Sequence, residues 1–342
     1  MKQRFVKIVF SLVLVMTVLG SIAAAQAESV RIGIQGTTSA DIIAKQLGYI
    51  ENLVEAEVEY VNFDSGRDAI SAVGSNSVDM VLVGSSPSAF GLSSGVEGEV
   101  AYVFHLIAEA EALACNPEAG VSGDDLSTLA GKTLAVPVGS TTHYNMLQAL
   151  GTVGLSDQDV TLLDLQPNDM VGAFERGDVD CGWVWYPALQ NLYDAGAESV
   201  TDAGVMADLG FPTSDLLIVS QAFGEENPDT VAQYVAALDQ AVQLINSDQA
   251  AAIDAIVAEL GLEADAAETA LTTLTQLTAA EQLSPEQLGT SEAVGGVADA
   301  LYNQAQFLAD QGLSEQALEP EFYETVVNPS YLELAQENGY IQ

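Results

Sequence analysis

An α/β fold of two lobes followed by a helical tail is what this sequence predicts, and three observations predict it. Short apolar runs alternate with helical periodicities from residue 30 to residue 219. The alternation breaks once, at Asn116-Pro-Glu-Ala-Gly120, and then restarts. Beyond Pro228 only helical spacing remains, rich in Ala, Gln and Leu. The 315 residues after residue 27 also exceed the usual size of one domain.

In chain order, residues 1–27 read as an export signal. Lys2, Arg4 and Lys7 precede an apolar run over 8–22, and Ala25-Gln-Ala27 is a small-residue cleavage site. The mature chain is expected to start near Glu28, with no cysteine near the cut to carry a lipid anchor, so the expected location is a periplasm. Strands are then predicted over 30–34, 58–63, 79–83, 100–107 and 111–115, with helices over 39–47, 66–73 and after Gly84-Ser-Ser-Pro87. The second series gives a helix near 124–129, strands over 133–136, 160–163 and 179–185, and helices over 142–150 and 169–174. One more strand, 215–219, returns the chain to the first lobe, and helices over 230–245, 249–260 and 296–311 pack back on it. The division is thus 28–115 plus 216–342 for lobe 1 and 116–215 for lobe 2.

Charge excludes several function classes. Beyond residue 27 only five basic residues stand against 49 acidic ones, a formal charge of −44. Such a surface repels nucleic acid and anionic membranes, and it repels itself at low salt, which points to a high-salt environment. The hydrophobic content, 49%, is ordinary for a packed globule, so the charge does not signal disorder. The acid is nevertheless absent from two windows, 80–96 and 126–156.

Each window holds a strand that runs into a hydroxyl-rich turn and a helix start. Val136-Pro-Val-Gly-Ser140-Thr-Thr-His-Tyr144 places Ser140 or Thr141 at an N-cap, where free N–H groups and the positive end of the helix dipole form an anion cradle. Val83-Gly-Ser85-Ser86-Pro87 is its counterpart. Both windows also suit plain buried strands with caps, where acids are rare in any case. His143, in the first turn of its helix, is expected to be neutral. With His105 and His143 as the two histidines, a histidine-rich metal site has little support, and no cofactor is expected. Cys115 and Cys181 are two free thiols or one disulfide on the residues alone.

Phosphate loops, dinucleotide fingerprints, H-E-x-x-H, G-x-S-x-G and basic patches are all missing, so the chain is not read as an enzyme. A family resemblance sharpens this. Phe63-Asp-Ser-Gly66, Gly84-Ser-Ser-Pro87, Glu111-Ala-Leu113, Ala135-Val-Pro137, Ser140-Thr-Thr-His-Tyr144, Leu165-Gln-Pro167, Arg176-Gly-Asp178, Val184-Trp185 and Pro212-Thr-Ser-Asp215 occur in one order. Over residues 30–228 that ordered set resembles the taurine-binding proteins of ABC importers, within the taurine, alkanesulfonate and nitrate type. The resemblance implies a type II periplasmic binding protein: two lobes, two hinge crossings, closure on the ligand, a membrane permease as partner, and a monomeric protein without a membrane anchor. It also implies that the strand ending in Cys115 lies beside the strand holding Cys181, which favours a disulfide.

Within that resemblance the residues favour taurine. Sulfonate oxygens suit neutral donors, which Ser85, Ser86, Ser140, Thr141, Thr142 and His143 supply, while Thr38 lines the cleft from the first lobe together with Gln35 and Thr37. Arg31, Arg67 and Arg176 are read as structural. The ammonium wants carboxylates and an aromatic face, for which Glu111, Asp215 and Trp185 match the family positions. Other alkanesulfonates, nitrate or a small osmolyte are alternative cargoes. Because some exported dehydratases share this fold, a different class of reading makes a carboxylate such as Asp215 an acid catalyst.

Overall fold

The computed structural model describes residues 29–341. The export segment expected over residues 1–27 lies outside them. Among the described residues no helix is long and apolar enough to cross a membrane.

Two sheets organise the chain. The first contains β1 (Ser29–Gln35), β2 (Glu57–Phe63), β3 (Met80–Gly84) and β4 (Gly98–Ile107). The second is built from β5 (Glu111–Cys115), β6 (Thr133–Val136), β7 (Thr161–Asp164), β8 (Cys181–Trp185) and β9 (Glu198–Asp202). The chain then returns through β10 (Ser214–Ser220), and the tail adds β11 (Leu274–Gln276). The spatial orders are β11-β4-β10-β3-β1-β2 and β7-β6-β8-β5-β9. In each sheet the consecutive β-α-β units pair in parallel, and a strand of the return path pairs antiparallel against them: β10 on β3, and β5 on β8.

The reason is visible in the burial. Met80 to Gly84 is buried throughout, as expected of a strand covered by helices on both faces. One face of the first sheet packs Ile32, Leu82 and Phe104 against Val231, Val235 and Leu238 of the tail helix Pro228–Ser247. The other face packs Val81 and Val83 against Leu301 and Ala305 of the helix Val297–Asp310. The helical tail therefore sandwiches the first sheet.

Four elements depart from expectation. Glu111–Cys115, assigned above to the end of the first lobe, pairs with β8 and β9, so it is the second sheet's strand. The crossings accordingly run through residues 108–110 and 203–213, and the second carries the short helix Ala203–Asp208. The helix expected near 124–129 is only a 3-10 turn, Leu126–Leu129, held by the Asp125 cap. The edge strands β9 and β11 were not anticipated. Cys115 and Cys181, register partners on β5 and β8, form a disulfide.

Candidate functional site

The second-lobe turn forms as its residue types dictate. Gly139 takes a positive φ of 87°, which glycine adopts without strain, and Ser140 follows in extended geometry as the N-cap of helix Thr141–Thr152. Ser140 Oγ accepts from the N–H of His143 at 3.2 Å and donates to the carbonyl of Pro137 at 2.7 Å. The N–H groups of Thr141 and Thr142, in the first helical turn, have no intrahelical acceptor. This helix N-terminus opens on the space between the lobes, with Ser140 and Thr141 in its lining.

That space is a cleft of about 520 Å³ including its mouth. The first lobe lines it with Gln35, Thr37, Thr38, Gly66, Gly84 and Pro87, together with His105, Ile107 and Asp215 from β4 and β10. The second lobe contributes Ala110, Glu111, Ser140, Thr141, Trp185 and Tyr186, and Leu274 comes from the tail. No Lys or Arg is among them. Arg31 pairs with Asp79 and Arg176 with Asp178, and Arg67 donates to Asp164 and to the carbonyl of Val138, which links the first lobe to the second outside the cleft.

Six of the ten residues singled out above line this cleft: Thr38, Glu111, Ser140, Thr141, Trp185 and Asp215. The other four point elsewhere. Ser85 Oγ accepts from the N–H of Ser214 at 3.3 Å, and Ser86 Oγ donates to Gln304 Oε1 at 2.7 Å. Thr142 Oγ1 shares a 2.7 Å hydrogen bond with Ser140 Oγ. His143 Nδ1 accepts from the N–H of Gly139 at 3.2 Å, and the ring faces a separate apolar groove beside Phe90 and Leu308. Burial pushes the His143 imidazole down to about 4, so it is neutral.

The two carboxyl groups differ in their surroundings. Glu111 is buried, its Oε1 accepts from Thr141 Oγ1 at 2.5 Å, and its Oε2 has no protein partner. Burial pushes it up to about 8, against the Thr141 hydrogen bond and helped by the charge of Asp215. Asp215 Oδ2 instead lies 2.8 Å from Nε2 of His105. Trp185 is the register partner of Glu111 across β5 and β8, so an aromatic ring flanks that carboxyl. Sequence reasoning missed His105 as a cleft residue. The available signal was a polar residue interrupting the apolar run 100–107.

Two α/β lobes joined by two crossings, with a small polar cleft between them, define the periplasmic binding protein fold. The chain belongs to the family described as NMT1/THI5 like, whose model matches residues 35–252. It is 31% identical over 302 residues to the taurine-binding periplasmic protein of Escherichia coli (strain K12), which covers 86% of this chain and 92% of that protein. Among solved structures it resembles the alkanesulfonate-binding protein SsuA from Xanthomonas axonopodis pv. citri bound to MOPS. The TM-score there is 0.72 at 23% identity, over 90% of this chain and 99% of that one. The periplasmic aliphatic sulphonate binding protein SsuA from Escherichia coli is similar too, with a TM-score of 0.69 at 21% identity over 86% and 91% of the two chains. At those identities the structures show the fold alone, which the desulfurization enzyme DSZB also shares with a TM-score of 0.64 at 15% identity over 91% of this chain and 99% of that one, whereas the relative at 31% identity over most of the chain is a binding protein.

Proposed function

We propose that this protein is the extracytoplasmic substrate-binding component of an ABC importer for small sulfonates, with taurine as its preferred cargo. The observation that carries the reading is the make-up of the cleft. Backbone N–H groups and hydroxyls gather at a helix N-terminus on the second lobe with Glu111 beside them, Asp215 stands opposite on the first lobe, and no Lys or Arg lines the space. A sulfonate, weakly basic and fully ionised, is satisfied by several neutral donors, here the first-turn N–H groups of Thr141 and Thr142 with Thr38 opposite, while the Ser140 and Thr141 hydroxyls hold the turn in place. An ammonium two carbons away then meets Asp215 and an acceptor oxygen of Glu111, and Trp185 walls the spacer. The similarity to the taurine-binding periplasmic protein supports the same choice.

On this reading the protein acts as a monomer in the periplasm, closes about the residues 108–110 and 203–213, and presents the closed surface to a permease. The excess of 49 acidic over eight basic residues in the whole sequence suits a high-salt setting. Titration calorimetry with taurine, ethanesulfonate, nitrate and a betaine tests the cargo. Taurine is expected to bind about tenfold or more tighter than ethanesulfonate, the worth of one charge-assisted hydrogen bond. Equal affinities would remove the amine site. Asp215→Asn is expected to weaken taurine far more than ethanesulfonate.

A further inference from the structure

One row of residues crosses the first sheet at the cleft. Gly84, Asp215, His105 and Gln276 are register neighbours on four successive strands, β3, β10, β4 and β11. Side chains of such neighbours share a face, so Gln276 stands behind His105 as His105 stands behind Asp215. His105 is 1% exposed, and its Nε2 lies 2.8 Å from Asp215 Oδ2, where the Nε2–H tautomer donates to the carboxyl oxygen. The ring's Nδ1 is buried without a protein partner, as are both amide atoms of Gln276. Burying an imidazole in an otherwise apolar strand costs stability, and packing alone would be better served by Val or Leu. The one thing this ring visibly does is hold Asp215.

The consequence concerns the pair of carboxyl groups. Two carboxyl groups face one small space, and burial with the neighbouring Asp215 raises Glu111 to about 8. The ring N–H stabilises the charge on Asp215, whereas Glu111 has only the Thr141 hydroxyl. We propose that His105 is a selectivity-determining positioning residue, which holds Asp215 in place as the acceptor for a ligand ammonium and so separates aminoalkyl sulfonates from plain alkyl sulfonates. Besides Asp215 on β10 and Glu111 on β5, the ring feels Asp41, a buried carboxyl on the helix Ala40–Gln46 that burial raises to about 6. The inference rests on the reading of the cleft as a sulfonate site.

The experiment is calorimetric titration of the protein and its variants with taurine and with ethanesulfonate. His105→Phe is expected to lower the taurine-to-ethanesulfonate affinity ratio about tenfold, whatever the change common to both ligands. His105→Gln, which keeps an N–H donor, is expected to restore most of the ratio. In an Asp215→Asn background, His105→Phe is expected to change the ratio no further. Equal losses for both ligands, or a Phe effect that persists without the Asp215 charge, overturn the proposal. If His105→Phe does not fold, His105→Asn, whose shorter amide falls away from Asp215, carries the same cycle, and an unchanged ratio there overturns it equally. A wild-type protein that binds neither sulfonate overturns the site reading itself. Wild-type selectivity that survives every His105 variant overturns only the role of His105.

Discussion

The turns Gly84-Ser-Ser-Pro87 and Gly139-Ser-Thr-Thr142 look like twins in sequence and behave differently in the fold. Each follows a buried strand, opens a helix and lies in an acid-free window. In the first, Gly84 is itself the N-cap and the helix starts at Ser85, so Ser85 and Ser86 turn into the protein body. In the second, the cap is Ser140, one residue later relative to its glycine, and Thr141 faces the cleft. One position in the helix start decides whether hydroxyls meet a ligand or the core. The first turn lets the backbone come close to the other lobe, and the second turns a helix N-terminus to the cleft.

The sharpest way to break this contrast is Gly84→Ala. A Cβ there would lie 2.8 Å from Thr141 Cγ2 and 3.5 Å from Asp215 Oδ1, and Thr141 is tethered to Glu111. The methyl wedges the lobes apart, and we expect about a hundredfold weaker binding of every small sulfonate in calorimetry. Retained affinity would show that proximity at Gly84 does not matter. Thr141→Val removes the hydroxyl that ties the other turn to Glu111, with about tenfold weaker binding of taurine and ethanesulfonate alike. A loss confined to taurine would reassign Thr141 to the amine end.

A third test uses the proton on Glu111, the partner of the donor turn. Its carboxyl titrates near 4.5 when unperturbed and at about 8 in the fold, so between those values the folded protein binds the extra proton. Stability from this group is therefore full below about 4.5 and is lost as pH rises towards 8. The ligand-free melting temperature should fall across that window by a component that Glu111→Gln removes, and identical pH profiles for the two proteins would count against it. Smallest of all, Ser86→Ala should leave binding unchanged and cost about 1 kcal/mol in denaturant unfolding, since it only releases Gln304. A binding loss there would mean that the first turn also donates.

Much of the fold was legible because its strands are buried and its helices amphipathic; periodicity and burial report the same physics. What escaped was set by tertiary context. β9 lies at a sheet edge and is half-exposed, and β11 is three residues long within a helical tail, so neither leaves a run to detect. Glu111–Cys115 reads as a strand, yet nothing within those five residues says which sheet it joins; its pairing with Cys181–Trp185 decides that. At the site, Thr38, Glu111, Ser140, Thr141, Trp185 and Asp215 were reachable from turn chemistry and motif order. Ser86 and Thr142 were not excludable, because side-chain direction in a first helical turn depends on where the cap falls. His105 shows its role only when β4 is laid beside β10.

The position of Asp215 also bears on time. It stands at the start of β10, directly after the second crossing and paired on both sides within the first sheet, whereas Thr141 rides on the other lobe. On the proposed reading, an arriving zwitterion is gripped by its amine at Asp215 first, and its sulfonate reaches the helix N-terminus of the second lobe only on closure. In stopped-flow measurements, Asp215→Asn should slow the first encounter, and Thr141→Val should instead shorten the residence of the bound molecule.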